Sequence, residues 1–333
     1  MTRTPLFDSL KQYSDRNKGY FRIPGHRFER GIPQQFIDFA GRNIFRIDVT
    51  ETPMTDDLHK PKNIIADSQK MTAEAFGADR SFYLINGTSC GNESMIMAVA
   101  GEDTDGTPDT ILIPRNAHKS VLAGLIISGA EPVYTQPHYI EEIGIMGVLN
   151  PGTVSKELSA QPDLKAVFVV SPSYHGICSD LEQIADAAHS SGIPLLVDEA
   201  HGAHLYFNIS LPSGALSCGA DACAQSLHKT AGALTQASLL HVGRGALDSN
   251  RINLARLDSA LRLTMSTSPS YILMSSLELA RNDLELHGED YWDRTIKLAE
   301  KTRRRINETT AFRCPGIDEL KAAGVFDVDP TRL

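Results

Sequence analysis

Short runs of apolar residues alternate with longer amphipathic stretches from about residue 80 onward. Several runs are almost continuously apolar, as expected for strands of a parallel sheet that helices cover on both faces. Amphipathic segments such as Leu181–Ser190 separate the runs, and Gly192-Ile193-Pro194 predicts a turn before a strand. The alternation predicts an α/β fold with a mostly parallel sheet. The predicted strands are residues 81–85, 110–113, 131–134, 166–171, 194–198, 222–226 and 237–242.

The two ends of the chain have a different pattern. Residues 1–75 predict an N-terminal helical arm and linking segment, with a turn at Ile23-Pro24-Gly25-His26. After Pro269 the sequence becomes helical and increasingly charged, up to Arg305. We therefore predict a large domain over residues 76–285 and a helical connection over residues 286–333.

Polar clusters follow five of the predicted strands. Parallel α/β sheets bind ligands at the carboxyl ends of their strands, so the clusters are expected to meet at one edge of the sheet. They are Asn86-Gly87-Thr88-Ser89, Arg115-Asn116-Ala117-His118, Ser171-Pro172-Ser173-Tyr174, Asp198-Glu199-Ala200-His201 and Ser226-Leu227-His228-Lys229.

Charge and composition exclude several classes of protein. The net charge of −9 argues against a nucleic-acid-binding surface, which is normally basic. No apolar run reaches the roughly 18 residues that a membrane span needs, and the polar N-terminus does not resemble a signal peptide. We therefore expect a cytoplasmic protein. The 5 cysteines form no C-x-x-C pair, which gives little support to a zinc ribbon and fits reduced thiols.

Gly87-Thr88-Ser89 forms a small, hydroxyl-rich turn between a predicted strand and a predicted helix. Backbone N–H groups and two hydroxyls at a helix N-terminus make a good phosphate site. Threonine and serine are also common helix caps, so the turn alone does not decide between the two roles.

Asp198 ends an apolar strand, where a partly desolvated carboxylate needs a cation or a hydrogen-bond donor. A protonated ring nitrogen, a metal or a structural ion pair would serve. The letters of Asp198 to His201 match a helicase box, but no phosphate-loop motif precedes them. His201 and His204 could join Asp198 at a metal, but their spacing is not that of the metalloprotease helix, and we predict no metal site.

Lys229 closes a strand-end segment and is flanked by apolar and small residues. Most lysines are solvated surface charges. A lysine in these surroundings has a lowered pKa, which makes its amine available as a nucleophile. The neighbouring His228 and Ser226 could contact a phosphate or steer a substrate.

The stretch 224–238 resembles the cofactor-attachment signature of the bacterial ornithine/lysine/arginine decarboxylase family. That signature has a serine two residues before a His-Lys pair, then small residues, then a glutamine among small residues. The resemblance extends from Pro24-Gly25-His26 to the C-terminal residues 329–333. The matching positions are Ser226, His228-Lys229, Gly232-Ala233 and Thr235-Gln236-Ala237-Ser238.

The resemblance implies a three-layer fold with a seven-stranded sheet, known as fold type I, and the cofactor pyridoxal 5′-phosphate (PLP). It implies that Lys229 forms the Schiff base, that Asp198 pairs with the pyridine nitrogen and that His118 stacks on the ring. His201 would lie beside the cofactor. The phosphate would be held at Gly87 by Thr88, Ser89, Ser226 and His228. From the residues alone, His118 could equally be a helix cap.

The family also implies a homodimer or larger homo-oligomer, in which Thr267 and Ser268 reach the neighbouring active site. From the residues alone, the stretch after Thr267 could simply start a helix. Family members usually continue past residue 333 into a smaller α/β domain, so we expect that this chain lacks that domain.

The implied reaction is decarboxylation of arginine, lysine or ornithine to an amine and CO2. Alternatives are another fold-type-I enzyme, such as an aminotransferase or a lyase, or a PLP-binding module without activity. No acidic cluster identifies the pocket for the substrate side chain. Glu199, Glu51 and Asp56 are candidates only because they are acidic.

Overall fold

The computed structural model describes residues 3–16, 20–101, 106–141, 143–309 and 311–333. The helices are α1 (Pro5–Arg16), α2 (Gln34–Ala40), α3 (Arg42–Arg46), α4 (Ile64–Phe76), α5 (Gly87–Val99), α6 (Lys119–Ser128), α7 (Pro151–Ala160), α8 (Leu181–Ser190), α9 (Leu227–Thr230), α10 (Leu254–Thr264), α11 (Tyr271–Asn307) and α12 (Ile317–Ala322). The strands are β1 (Arg80–Leu84), β2 (Thr110–Pro114), β3 (Glu131–Thr135), β4 (Tyr139–Ile140), β5 (Ile145–Met146), β6 (Leu164–Val170), β7 (Ile177–Cys178), β8 (Leu195–Asp198), β9 (Ala222–Gln225), β10 (Ser238–Val242) and β11 (Asp327–Val328).

Seven of these strands form one sheet in the order β1-β10-β9-β8-β6-β2-β3. Strands β9, β8, β6, β2 and β3 run parallel, whereas β10 is antiparallel to both of its neighbours. All seven strands predicted from the apolar runs are confirmed, with ends that differ by at most two residues. The mostly parallel α/β fold is therefore confirmed as well.

The sheet is buried on both faces, which explains its continuous apolar runs. In β8, Leu196 packs into the core cluster on the face that α5 covers. Its neighbours Leu195 and Val197 pack into a second cluster, with side chains of α7 and α8 on the opposite face. Because side chains alternate along a strand, Asp198 points to the same face as Leu196. This alternation directs the Asp198 carboxylate toward α5.

The N-terminal helix α1 is fixed to the long helix α11. Glu278 of α11 is fully buried and accepts hydrogen bonds from the backbone N–H groups of Leu6 (3.0 Å) and Phe7 (2.7 Å). These two N–H groups belong to the first turn of α1 and have no partner within the helix. The carboxylate therefore caps α1 and holds it against α11.

Helix α11 runs without a break through residues 285 and 286, where we predicted a domain boundary. Farther on, β11 pairs with β7 and the backbone N–H of Asp329 donates to the carbonyl of Gly176 (2.8 Å). This pairing brings the last residues of the chain beside the carboxyl edge of the sheet. Among the described residues, no helix is long and apolar enough to cross a membrane.

Candidate functional site

The predicted polar clusters meet at one edge of the sheet because of the strand order. Strands β2, β6, β8 and β9 are parallel, so the residues that follow them leave the sheet on the same side. Strand β1 points the same way, since two antiparallel pairings separate it from β9. The antiparallel β10 contributes its first residue, Ser238, to this edge. The sheet thus places five loops and one strand start around a single site.

Asp198 is the buried anion of this site, with 4% of its surface exposed. The side chain of Asn92 donates to its Oδ2 (2.8 Å), and the backbone N–H of Ala200 donates to its Oδ1 (3.1 Å). Loss of hydration raises the pKa of Asp198, and the two hydrogen bonds and the charge of Lys229 partly offset that rise. A carboxylate with two neutral donors at a desolvated position suits a further cationic partner.

Lys229 lies in α9, which follows the neighbouring strand β9, and its side chain is accessible to solvent. Its Nζ lies 3.2 Å from Nε2 of His201. Partial desolvation lowers the pKa of Lys229, the charge of Arg332 lowers it further, and the charge of Asp198 raises it. The lowered pKa increases the fraction of neutral amine, which is the nucleophilic form.

His201 is a neutral imidazole beside that amine. Desolvation, followed by the nearby charge of Lys229, lowers the pKa of His201 to about 4. Its Nδ1 is buried and has no hydrogen-bond partner, while the ring edge faces Tyr174 with centroids 5.6 Å apart. A neutral imidazole at this position can exchange a hydrogen bond with Lys229 without adding charge to the site.

The N-terminus of α5 forms another side of the site. Gly87 has φ +77°, a conformation that glycine adopts without strain, and it starts a helix of 13 residues. The first N–H groups of any α-helix have no partner within the helix. The hydroxyl of Thr88 lies 2.5 Å from that of Ser226 and donates to that of Ser238 (3.1 Å), and all three residues are buried. Ser89 is partly buried next to them.

Two more predicted residues take part in local hydrogen bonds. Nδ1 of His228 lies 3.0 Å from the carbonyl of Ala237, so Nδ1 carries the hydrogen and Nε2 is left as the free nitrogen. His118 caps α6, where its Nδ1 accepts from the backbone N–H of Ser120 (3.2 Å). His118 therefore serves as a helix cap, its ring remains exposed at the sheet edge, and its role beside the cofactor stays a prediction.

Asn92, Ser120 and Ser238 also belong to the site, although the sequence predicted no role in the site for any of them. Asn92 is 1% exposed and donates to Ser120 Oγ (3.0 Å) as well as to Asp198. One signal for Asn92 was available, because it lies four residues after Thr88 and therefore on the same face of α5. Ser238 is the last residue of the signature stretch 224–238.

The predicted intersubunit residues Thr267 and Ser268 are exposed in the loop between α10 and α11. The preceding Ser266 donates its backbone N–H to Oδ1 of Asn86 (3.2 Å), so this loop lies against the start of α5. The intersubunit contact remains a prediction.

No cluster of three or more metal-ligating side chains occurs in the described part of the chain.

Two of the three acidic residues considered for substrate binding, Glu199 and Asp56, are engaged in local structure, whereas Glu51 accepts a hydrogen bond from the Thr50 hydroxyl and stays a candidate. Glu199 is 1% exposed and accepts from Gln225 Nε2 (2.7 Å), Ala215 N (2.7 Å) and the Tyr206 hydroxyl (2.8 Å). Burial raises its pKa to about 7. Asp56 accepts backbone N–H groups at the start of α4, among them those of Asn63 and Ile65. Both carboxylates hold local structure.

Residues 4–332 match the model of the Orn/Lys/Arg decarboxylase major domain. The chain belongs to this family. The family resemblance drawn from the segment around Lys229 is thereby confirmed over nearly the whole chain, and the segment lies at the sheet edge described above.

Curated relatives support the same assignment. An arginine decarboxylase of Bacillus anthracis is 42% identical over 99% of this chain, and one of Bacillus subtilis is 39% identical over the same share. The chain spans 65% of the length of each. Among solved structures, lysine decarboxylase A from Pseudomonas aeruginosa superposes with a TM-score of 0.76 at 26% identity, covering 91% of this chain and 43% of that one.

Proposed function

We propose that this member of the Orn/Lys/Arg decarboxylase family carries out PLP-dependent decarboxylation of a basic amino acid. Arginine is the substrate to test first, because the relatives at 42% and 39% identity are named arginine decarboxylases. The observation that carries the proposal is the meeting of three groups at one sheet edge. They are the Lys229 amine, the buried Asp198 carboxylate and the N-terminus of α5.

The residues at the site fit PLP in three respects. The N-terminus of α5, with Gly87, Thr88 and Ser89, suits a phosphate, because unpaired N–H groups and the helix dipole favour an anion. The desolvated Asp198 has only neutral donors and suits a protonated ring nitrogen. Lys229 offers an amine with a lowered pKa. His118 remains the predicted ring-stacking residue, and His228 and Ser226 remain predicted phosphate contacts.

When bound, PLP supplies an electron sink for the electron pair that is left when CO2 departs. Asp198 contributes to this chemistry by holding a positive charge at the ring nitrogen, which its own desolvation makes favourable. Asn92 and Ala200 each donate to one of the two carboxylate oxygens and keep the carboxylate in place. Asp198 therefore acts by electrostatic stabilisation and transfers no proton.

Lys229 is the group able to move a proton, and His201 orients it. The lowered pKa of Lys229 increases the fraction of neutral amine, which would hold PLP through its aldehyde with loss of one water, and the same nitrogen could later return a proton. His201 lies 3.2 Å away with a pKa of about 4, so it remains neutral and orients the amine. Its buried Nδ1 has no hydrogen-bond partner within the protein.

The test is product analysis of purified protein supplied with PLP and, in separate reactions, arginine, lysine and ornithine. We expect CO2 and the corresponding amine in equal amounts, with arginine giving the highest kcat/KM. A keto acid in place of the amine would identify an aminotransferase. PLP binding without any product would identify a non-catalytic module and would contradict the proposed activity.

A further inference from the structure

Asn92 connects two residues that the proposed function places around the same cofactor ring. Its side-chain amide donates one hydrogen to Oδ2 of Asp198 (2.8 Å) and the other to Oγ of Ser120 (3.0 Å). Ser120 Oγ in turn lies 2.9 Å from Nδ1 of His118. The four side chains thus form a continuous chain of hydrogen bonds from the buried carboxylate to the exposed imidazole. Asn92 and Ser120 are themselves buried.

Each hydrogen bond in this chain has only one possible direction. The ionised Asp198 accepts only, so it must face the amide nitrogen of Asn92 and not the amide oxygen. The second amide hydrogen then points at Ser120 Oγ, which accepts it and donates its single hydrogen onward to His118 Nδ1. The backbone N–H of Ser120 donates to the same nitrogen (3.2 Å). Nδ1 is therefore an acceptor, and the hydrogen of the neutral imidazole lies on Nε2.

The orientation of the Asn92 amide leaves its oxygen without a hydrogen bond, and the protein keeps this orientation because of the charge on Asp198. Oδ1 of Asn92 is buried and has no hydrogen-bond partner. A buried polar atom without a partner is unfavourable, and flipping the amide would give Oδ1 the Ser120 hydroxyl as a donor. The flipped amide would also place an oxygen against the Asp198 carboxylate. The charge of Asp198 decides the orientation.

We propose that Asn92 and Ser120 are positioning residues that couple His118 to Asp198. The charge of Asp198 orients Asn92, Asn92 orients the Ser120 hydroxyl, and Ser120 fixes the ring and the tautomer of His118. This inference rests on the proposed function, which places Asp198 at the ring nitrogen and His118 at the ring face. Neither positioning residue needs to touch the cofactor, and each acts through the residue beside it.

A double-mutant cycle on PLP affinity tests the coupling. The variants are Asn92→Ala, His118→Gln and the double variant, with binding followed by absorbance titration. If the two residues are coupled, the double variant should bind PLP at least about 3-fold more tightly than the two single effects, multiplied together, predict. Effects that multiply to within about 2-fold would overturn the coupling.

Ser94→Ala is the matched control, because Ser94 is buried on the same helix but bonds to Thr264 (2.9 Å), outside the chain. Its effect should multiply independently with that of His118→Gln. If Asn92→Ala does not fold, as judged by circular dichroism, Ser120→Ala replaces it in the cycle. Wild-type protein that fails to bind PLP would refute the proposed function, whereas binding with independent effects would refute only the coupling.

Nitrogen NMR of histidine-labelled protein without PLP gives a second readout, with the His118 signals assigned from His118→Gln. We expect the hydrogen on Nε2 in the wild type. In Asn92→Asp, Ser120 should donate to the new carboxylate, so the Nδ1 signal of His118 should shift. A hydrogen on Nδ1 in the wild type, or an unchanged Nδ1 signal in Asn92→Asp, would overturn the proposal.

Discussion

The amine of Lys229 and Nε2 of His201 lie 3.2 Å apart, although 28 positions separate the residues in sequence. They follow β9 and β8, which are parallel neighbours in the sheet. The Lys229 amine is therefore held by an imidazole. The charge of Asp198 raises the pKa of this amine, and the charge of Arg332 lowers it. Lys229 is accessible to solvent, but this contact and its lowered pKa distinguish its amine from that of an ordinary surface lysine.

The first prediction concerns the pKa of Lys229 in protein without PLP. Arg332→Gln removes a cation and should raise the pKa, whereas Asp198→Asn removes an anion and should lower it. The pH dependence of Lys229 labelling by an amine-reactive reagent, measured by mass spectrometry, reports the change. The labelling midpoint should move to higher pH in Arg332→Gln and to lower pH in Asp198→Asn.

Exposed Lys119 is labelled in the same samples and provides an internal control. Its midpoint should be the same in all three proteins. Shifts of Lys229 in the same direction in both variants would show that these charges do not set its pKa.

The second prediction concerns the close packing of α5 on the sheet. A Cβ atom at Gly91 would lie 2.8 Å from Cδ1 of Leu84 and 3.0 Å from Cβ of Ala224. Because Ala224 cannot move without its strand, Gly91→Val should push α5 away from the sheet. We expect a loss of about 1–3 kcal/mol in the free energy of unfolding, measured by urea denaturation, together with weaker PLP binding.

Gly25→Val is the control for this change. Gly25 is exposed, and a Cβ there would meet no atom within 4 Å. The control should unfold within about 0.5 kcal/mol of the wild type. Equal stability of Gly91→Val and the wild type would contradict the packing argument.

The third prediction concerns stability in acid. His241 is fully buried between Ser81 and Gln225, and desolvation lowers its pKa to about 3. The unfolded chain takes up this proton near pH 6.5, while the folded protein does not until about pH 3. His241 therefore lowers the free energy of unfolding by about 1.4 kcal/mol per unit as the pH falls through this window.

His241→Gln should be less stable at pH 7 but should lose less stability between pH 6.5 and pH 5. Urea denaturation at several pH values measures the slope, and His287→Gln, which changes an exposed residue of α11, serves as control. A slope in His241→Gln as steep as in the wild type would contradict this account.

The strands and the position of the site could be predicted from the sequence, because each prediction depended only on short stretches of neighbouring residues. Continuous apolar runs identified the strands, and the rule for parallel sheets placed Asp198, Lys229 and the turn at Gly87 at one edge. The strand order, which makes β8 and β9 neighbours and so brings Lys229 close to Asp198, was not predicted and came from the structure.

The hydrogen bonds within the site could not be predicted in this way. The contact of Asn92 with Asp198 joins residues 106 positions apart, and that of Thr88 with Ser226 joins residues 138 apart. Such pairs depend on helix rotation and side-chain direction, which the period of a helix fixes only approximately. The partners of Glu199 were missed for the same reason, because an acidic residue beside Asp198 points to the opposite face of the sheet.

The central claim is that Lys229 attaches PLP at this sheet edge. The most direct test is reduction of PLP-loaded protein with borohydride, followed by digestion and mass spectrometry of the labelled peptide. We predict one stoichiometric label on Lys229 and none in Lys229→Ala, while wild-type and variant proteins remain equally folded. A label on another lysine, or no label on folded wild-type protein, would contradict the account.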